Sequence, residues 1–223
     1  MKDSVLDEIT ALVAEQPLLT VSKTEENVLI SGKYKICNQI NDEVFEDYFA
    51  LEISIPDSFP NDIPRVKTTD GRIRANNYKE HVYSNSEFCL ETNTAMAAHL
   101  QDAPSLRGFL TKFLDTYLCG FLYYRKHKRL PFGEHRHGGL GLLDYYCELF
   151  ETRDIKVAFA LLDCLVNRKL KGHIQCPCQS GMRYRNCHRQ TINELKENGL
   201  YERYEADYNA IIAEVNRNVK NKS

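Results

Sequence analysis

Residues 49–66 read FALEISIPDSFPNDIPRV. Phe49, Leu51, Ile53 and Ile55 alternate with Ala50, Glu52 and Ser54, the period of a strand with one buried face. Pro56, Pro60 and Pro64 then break the pattern, because proline cannot donate to a ladder. A short strand is predicted after them at Arg65–Thr68. Upstream, residues 44–55 (VFEDYFALEISI) and 27–38 (NVLISGKYKICN) each read as a strand. Before those, Val5, Leu6, Ile9, Leu12 and Val13 sit at helical spacing over 4–15, ended ahead of Pro17. Downstream, residues 70–104 show no strong period, and a long segment of this kind in a compact domain is usually functional. From Ser105, a candidate N-cap, Leu106, Phe109, Leu110, Phe113, Leu114, Tyr117, Leu118 and Phe121 recur at i, i+3 and i+4. The basic run Arg125–Arg129 ends that helix. Helical patterns resume at 142–152, 154–168 and 191–218. The order predicts an α+β domain over residues 1–150, with an N-terminal helix, a strand meander, a long loop and C-terminal helices. A small helical extension follows over 151–223.

The whole chain bounds the chemistry. Its 223 residues are 43% hydrophobic, enough for a sizeable core. Lys and Arg number 29 against 31 Asp and Glu, so the formal charge is −2. That balance argues against a nucleic-acid binder, while a local basic patch argues weakly for one. No run of 18 apolar residues suggests a membrane helix. The opening MKDSVLDEIT has neither the basic nor the apolar region of an export signal, so the expectation is a cytoplasmic protein. In a reducing compartment its eight cysteines are core fillers, metal ligands or nucleophiles rather than a disulfide scaffold.

Their spacing separates these roles. Cys176, Cys178, Cys187 and His188 lie in CPCQSGMRYRNCH. Three thiols and an imidazole at this spacing suit a closed tetrahedral Zn²⁺ site, and Gly181 allows the turn between its halves. The segment resembles the SEC-C motif, named for the C-terminus of the SecA translocation ATPase, whose usual form is C-P-C-G-S-G-K-K-Y-K-x-C-H/C. Gln179 replaces a glycine and Met182 a lysine, and neither position supplies a ligand. The resemblance, over residues 172–189, implies a structural zinc knuckle that often serves in docking. Arg168, Lys169, Lys171, Arg183, Arg185 and Arg189 surround it with no acid between them. They read either as a solvated face or as a surface for an acidic partner or nucleic acid.

Cys89 lies in HVYSNSEFCLETN, inside the long polar segment with His81, Asn85 and Glu87 close by. Such a setting can expose a thiol and supply hydrogen bonds to an oxyanion. The stretch SGKYKI, FALEISIPDSFPNDIPRV and HVYSNSEFCL resembles the ubiquitin-conjugating (UBC) fold over roughly residues 1–125. The points of likeness are a strand ending in proline, the Phe59-Pro60 to Pro64 corner, and a loop bearing His81 and then Cys89-Leu90. The closest likeness is to bacterial members, in which a G-E-x-x-H-G segment follows the core, here Gly133 to Gly138. That resemblance implies a thioester acyltransferase with Cys89 as nucleophile. It makes His81 the motif histidine, either structural or catalytic, and offers Asn85, Asn76 or Asn77 as oxyanion donor. It further implies a protein donor with a C-terminal carboxyl group, a target amine, and a place in bacterial antiphage defence. In the CBASS systems the donor is a cGAS/DncV-like nucleotidyltransferase. The alternative is a non-catalytic zinc-containing adaptor that binds a partner protein or its tail.

Glu134, His135 and His137 lie in the Gly-rich loop LPFGEHRHGGLG. They read as a packed surface loop, a wall of the active site, or a second metal site. No G-x-G-x-x-G motif is present, so self-contained ATP-driven activation is not expected.

Overall fold

The computed structural model describes residues 2–69, 71–74, 80–131 and 136–220. The chain divides into two compact units, Met1–Glu134 and His135–Ser223. The boundary precedes the one predicted at 150/151. The helix at Gly138–Leu149 packs with later helices and so belongs to the second unit.

In the first unit, helix α1 (Asp3–Glu15) leads into strands β1 (Leu19–Lys23), β2 (Asn27–Ile40), β3 (Glu43–Pro56) and β4 (Arg65–Thr68). They form one antiparallel sheet in the order β1-β2-β3-β4, a meander. β2 and β3 pair along their whole length, from Asn27 opposite Pro56 to Ile40 opposite Glu43. The alternation in the opening stretch becomes physical here. Phe45, Phe49, Leu51, Ile53 and Ile55 of β3 are buried on the face that β2 fills with Val28, Ile30, Tyr34 and Ile36. Directly opposed residues such as Ile30 and Ile53 share that face. β1 escaped the sequence reading because only Leu19 of its five residues is buried, leaving no alternation to detect. It packs tightly on β2 at Gly32, where a Cβ would lie 2.1 Å from the Leu18 carbonyl oxygen and φ is +139°.

The core face is covered by α1, through Val5, Ile9 and Leu12, and by a long helical run after residue 105. That run comprises α3 (Leu106–Phe109), a π-helical segment (Leu110–Asp115) and α4 (Thr116–His127). Ser105 caps it by accepting from the Gly108 N–H at 3.2 Å, as its sequence position predicts. The π-helical segment is not legible in the periodicity. Asp115 closes it and accepts a 2.7 Å hydrogen bond from the Tyr34 hydroxyl of β2.

Residues 70–104 are less irregular than predicted. α2 (Asn93–Asp102) starts there on a Thr92 cap, and residues 80–89 form a tight hairpin. Short polar side chains had masked the helical face, of which Thr94, Met96, Ala97 and Leu100 are buried.

The second unit packs α5 (Gly138–Leu149), α6 (Ile155–Val166), α7 (Arg189–Glu197) and α8 (Tyr201–Lys220). The single helix predicted over 191–218 is therefore two, broken at Asn198–Leu200. There Gly199 has φ +79° and Asn198 donates to the Tyr204 hydroxyl at 2.7 Å. Leu161, Leu162, Leu165, Tyr146, Tyr204 and Ile211 form the centre of this core. The buried Tyr146 hydroxyl is satisfied by Asp207 at 2.8 Å. Among the described residues no helix is long and apolar enough to cross a membrane.

Candidate functional site

The Cys/His segment folds as a short hairpin that turns into a helix. Gln175 and Arg183 form an antiparallel bridge, and the Tyr184 N–H donates to the Ile174 carbonyl at 2.8 Å. The turn between them uses Gly181 at φ +78°, as expected, and also Gln179 at φ +63°. A 3-10 turn (Tyr184–Asn186) then delivers Cys187 and His188 to the start of α7. This brings together the ligand atoms of Cys176, Cys178, Cys187 and His188, all within 4.8 Å of one another. Cys178 Sγ lies 3.4 Å from Cys187 Sγ, and His188 Nδ1 lies 3.4 Å from Cys176 Sγ and 3.2 Å from Cys187 Sγ.

Those separations can be compared with what zinc requires. Bonds of about 2.3 Å to sulfur and about 2.0–2.1 Å to nitrogen place tetrahedral donors about 3.5–3.8 Å apart. The observed cluster is close to that size, so the donor set and its spacing fit zinc. Taken as protonatable groups alone, burial pushes the Cys176 thiol up to about 12. Burial also acts to raise Cys178, but the Ser180 hydroxyl and backbone N–H, with the neighbouring thiols, outweigh it and draw that group down to about 6. The cluster thus already favours one thiolate, the protonation state in which sulfur binds metal.

Gln179 occupies a left-handed position where the usual motif has glycine, and a side chain there costs energy. We expect Gln179→Gly to stabilise the knuckle by about 0.5–1 kcal/mol. Slower loss of bound zinc to a chelator would register the gain, and faster loss would refute it.

Cys89 closes the hairpin of the first unit. The Val82–Phe88 bridge zips the hairpin, and the Cys89 N–H donates to the His81 carbonyl at 2.8 Å. The Phe88 N–H donates to the Val66 carbonyl at 2.9 Å, laying the hairpin along β4. The Phe88 ring packs 4.5 Å from that of Tyr117, whose hydroxyl donates to the Glu80 carbonyl at 2.6 Å. His81 and Ser86 are held at φ +53° and +67°, so the turn is backbone-strained.

The predicted residues meet unevenly. His81 touches Cys89 through its backbone carbonyl. The Asn85 side-chain oxygen accepts from the Glu87 N–H at 3.1 Å and so shapes the turn. Asn76, Asn77, Glu134 and His135 lie outside the described residues, and His137 stands just before α5. The sequence reading missed Tyr83, whose hydroxyl donates to Cys89 Sγ at 3.1 Å. Its place six residues before the cysteine, two past the His, was the available signal. Burial pushes the half-buried Cys89 thiol above its ordinary range, the Tyr83 hydrogen bond opposes that, and the Glu91 charge adds to it.

All eight cysteines are free thiols, with Cys119 and Cys164 buried as core fillers and Cys37 exposed. Residues 175–190 match the family model described as the SEC-C motif, a zinc-binding type. No curated protein matches the chain. No solved structure matches it either. The chain therefore carries a SEC-C motif whose Cys and His residues coincide with the cluster in the structure.

Proposed function

We propose that the chain is a cytoplasmic thioester acyltransferase of the ubiquitin-conjugating type, with Cys89 as nucleophile and one structural zinc held by Cys176, Cys178, Cys187 and His188. The observation that carries the reading is the position of Cys89. It is half-exposed at the end of a strained hairpin laid against an antiparallel meander, with one helix before the sheet and helices after it. In this reading the Cys89 thiolate attacks the carbonyl carbon of a donor protein's C-terminal thioester, and the donor's former thiol leaves. An amine then attacks the new thioester, the tetrahedral intermediate collapses, and the Cys89 thiolate departs as the amide forms. The Tyr83 hydroxyl is placed to donate to that sulfur while it is charged. The zinc supplies rigidity to the knuckle and no chemistry, since all four positions are filled by protein. A cGAS/DncV-like nucleotidyltransferase from a bacterial antiphage operon is the first donor to test.

The test is intact mass with and without reductant after co-expression with such an operon. A thiol-sensitive adduct is expected on the wild type, absent in Cys89→Ala and stable in Cys89→Ser. No adduct on any form, with a partner still co-purifying, would establish the adaptor reading instead. One observation favours that second reading: burial pushes the Cys89 thiol above its ordinary range, which disfavours the nucleophilic thiolate.

A further inference from the structure

The chain's charge of −2 conceals two units of opposite sign. Met1–Glu134 holds 15 Lys and Arg against 20 Asp and Glu, a net of −5. His135–Ser223 holds 14 against 11, a net of +3. Within the second unit the positive charge is concentrated further. No acid occurs from Arg168 to Asn193, while Arg168, Lys169, Lys171, Arg183, Arg185 and Arg189 are all exposed. Arg168 is neutralised by Asp163 at 2.5 Å. The other five form no ion pair among the described residues.

The fold gathers Lys171, Arg185 and Arg189 of these cations. The Arg185 N–H donates to the Gly172 carbonyl at 3.0 Å, fixing Arg185 across the hairpin beside Lys171. A Cβ on Gly172 would come within 3.1 Å of Arg185 Cβ and 3.2 Å of Arg189 Nη1. Two arginines, one from the 3-10 turn and one from the first position of α7, therefore close over a single backbone point. Cys187 and His188 lie between them in sequence, so the cluster that fixes the knuckle also fixes this pair.

We infer that the cationic face of the knuckle binds the phosphate backbone of a nucleic acid. Guanidinium groups are planar forks matched to phosphate oxygens, and clustered unpaired cations gain affinity by releasing counterions from a polyanion. Anchors for a protein partner are sparse by comparison. Protein interfaces rely on aromatic or Arg side chains seated in desolvated pockets. Here Tyr184 is buried within the knuckle, and the large apolar side chains exposed on it are Ile174 and Met182. With no exposed Phe, Tyr or Trp from 168 to 193, stacking on bases is not offered either, so recognition is of the backbone and indifferent to sequence.

Fluorescence polarisation of zinc-supplemented full chain with labelled random-sequence DNA and RNA tests this between about 50 and 200 mM salt. Five phosphate contacts predict a log–log salt slope of about −3.5 to −4.5. The triple variant Arg183→Ala/Arg185→Ala/Arg189→Ala should reduce that slope by about 2 to 3 and weaken all sequences alike. Lys169→Ala/Lys171→Ala, further from the zinc ligands, should reduce it by about 1.5 and serves if the triple variant loses its metal. Lys156→Ala/Arg217→Ala/Lys220→Ala, the same charge change elsewhere in the unit, should leave the slope unchanged. Cys89→Ala should bind as the wild type does. The inference is overturned if binding is absent or insensitive to salt, or if the distant triple variant weakens it equally. It is also overturned if polyglutamate binds more tightly than the oligonucleotides, which would assign the face to an acidic protein.

Discussion

Cys187→Ser is expected to release the metal from the knuckle and unfold residues 172–193, while Met1–Glu134 keeps its structure. Between 172 and 193 only Cys176, Tyr184 and Ile192 are buried, too little apolar surface to hold a hairpin and a helix start together. The backbone hydrogen bonds there, such as Cys176 N–H to the Met182 carbonyl at 2.9 Å, close short turns that do not persist alone. In the proposed reading the metal supplies the missing stability; in small zinc modules its binding is worth about 10–16 kcal/mol. Losing one ligand of four removes on the order of 3 kcal/mol or more, a fall in affinity of about a hundredfold. Elemental analysis should find one zinc per wild-type chain and none after mild chelation of Cys187→Ser. Limited proteolysis should cut the variant inside the knuckle first. A Cys187→Ser protein that holds one zinc per chain and resists protease would mean that the cluster is not a closed four-ligand site.

The parts of the molecule legible from sequence are those whose burial is periodic or whose chemistry is local. Phe49, Ile53 and Ile55 of β3 announced a buried face because they oppose the buried Tyr34, Ile30 and Val28 of β2 in register. The four knuckle residues were found from spacing because a metal site within thirteen residues leaves little freedom in how they meet. What was hidden depends on contacts distant in sequence or on backbone geometry. β1 has one buried residue, so its pairing with β2 is fixed by the close approach at Gly32 rather than by its own pattern. The π-helical segment keeps the same apolar residues as an α-helix and changes only their register. The break at Gly199 looks like a tolerable helical glycine until the Asn198–Tyr204 hydrogen bond fixes a turn there. At Cys89 the sequence offered a candidate nucleophile and a histidine, but the side chain that reaches the sulfur is that of Tyr83. A side chain six positions away meets the thiol only because the hairpin folds back at Asn85 and Ser86.

That contact gives the second large effect. Burial holds the Cys89 thiol above its ordinary range, so at neutral pH only a small fraction is thiolate. Its alkylation rate should keep rising with pH from about 7 to 9, with no plateau. A plateau below about pH 8 would show that the thiol is activated rather than restrained. Tyr83→Phe sharpens the test. Tyr83 is 48% exposed and its backbone N–H still meets the Glu87 carbonyl, so the variant should fold. A hydrogen bond to a charged acceptor is worth about 1.5–3 kcal/mol, so losing it cuts the thiolate fraction by about 10- to 100-fold. The remaining thiolate is intrinsically more nucleophilic, which offsets roughly half of that on a logarithmic scale. The net expectation is a fall of about 3- to 15-fold in alkylation at neutral pH. Comparing this with thioester formation locates the phenol's action. Equal losses in both would place it on the sulfur. A loss in acyl transfer with alkylation unchanged would place it on the oxyanion, alongside the Asn85 side-chain N–H groups, whose amide is oriented by the bond its oxygen accepts from the Glu87 N–H.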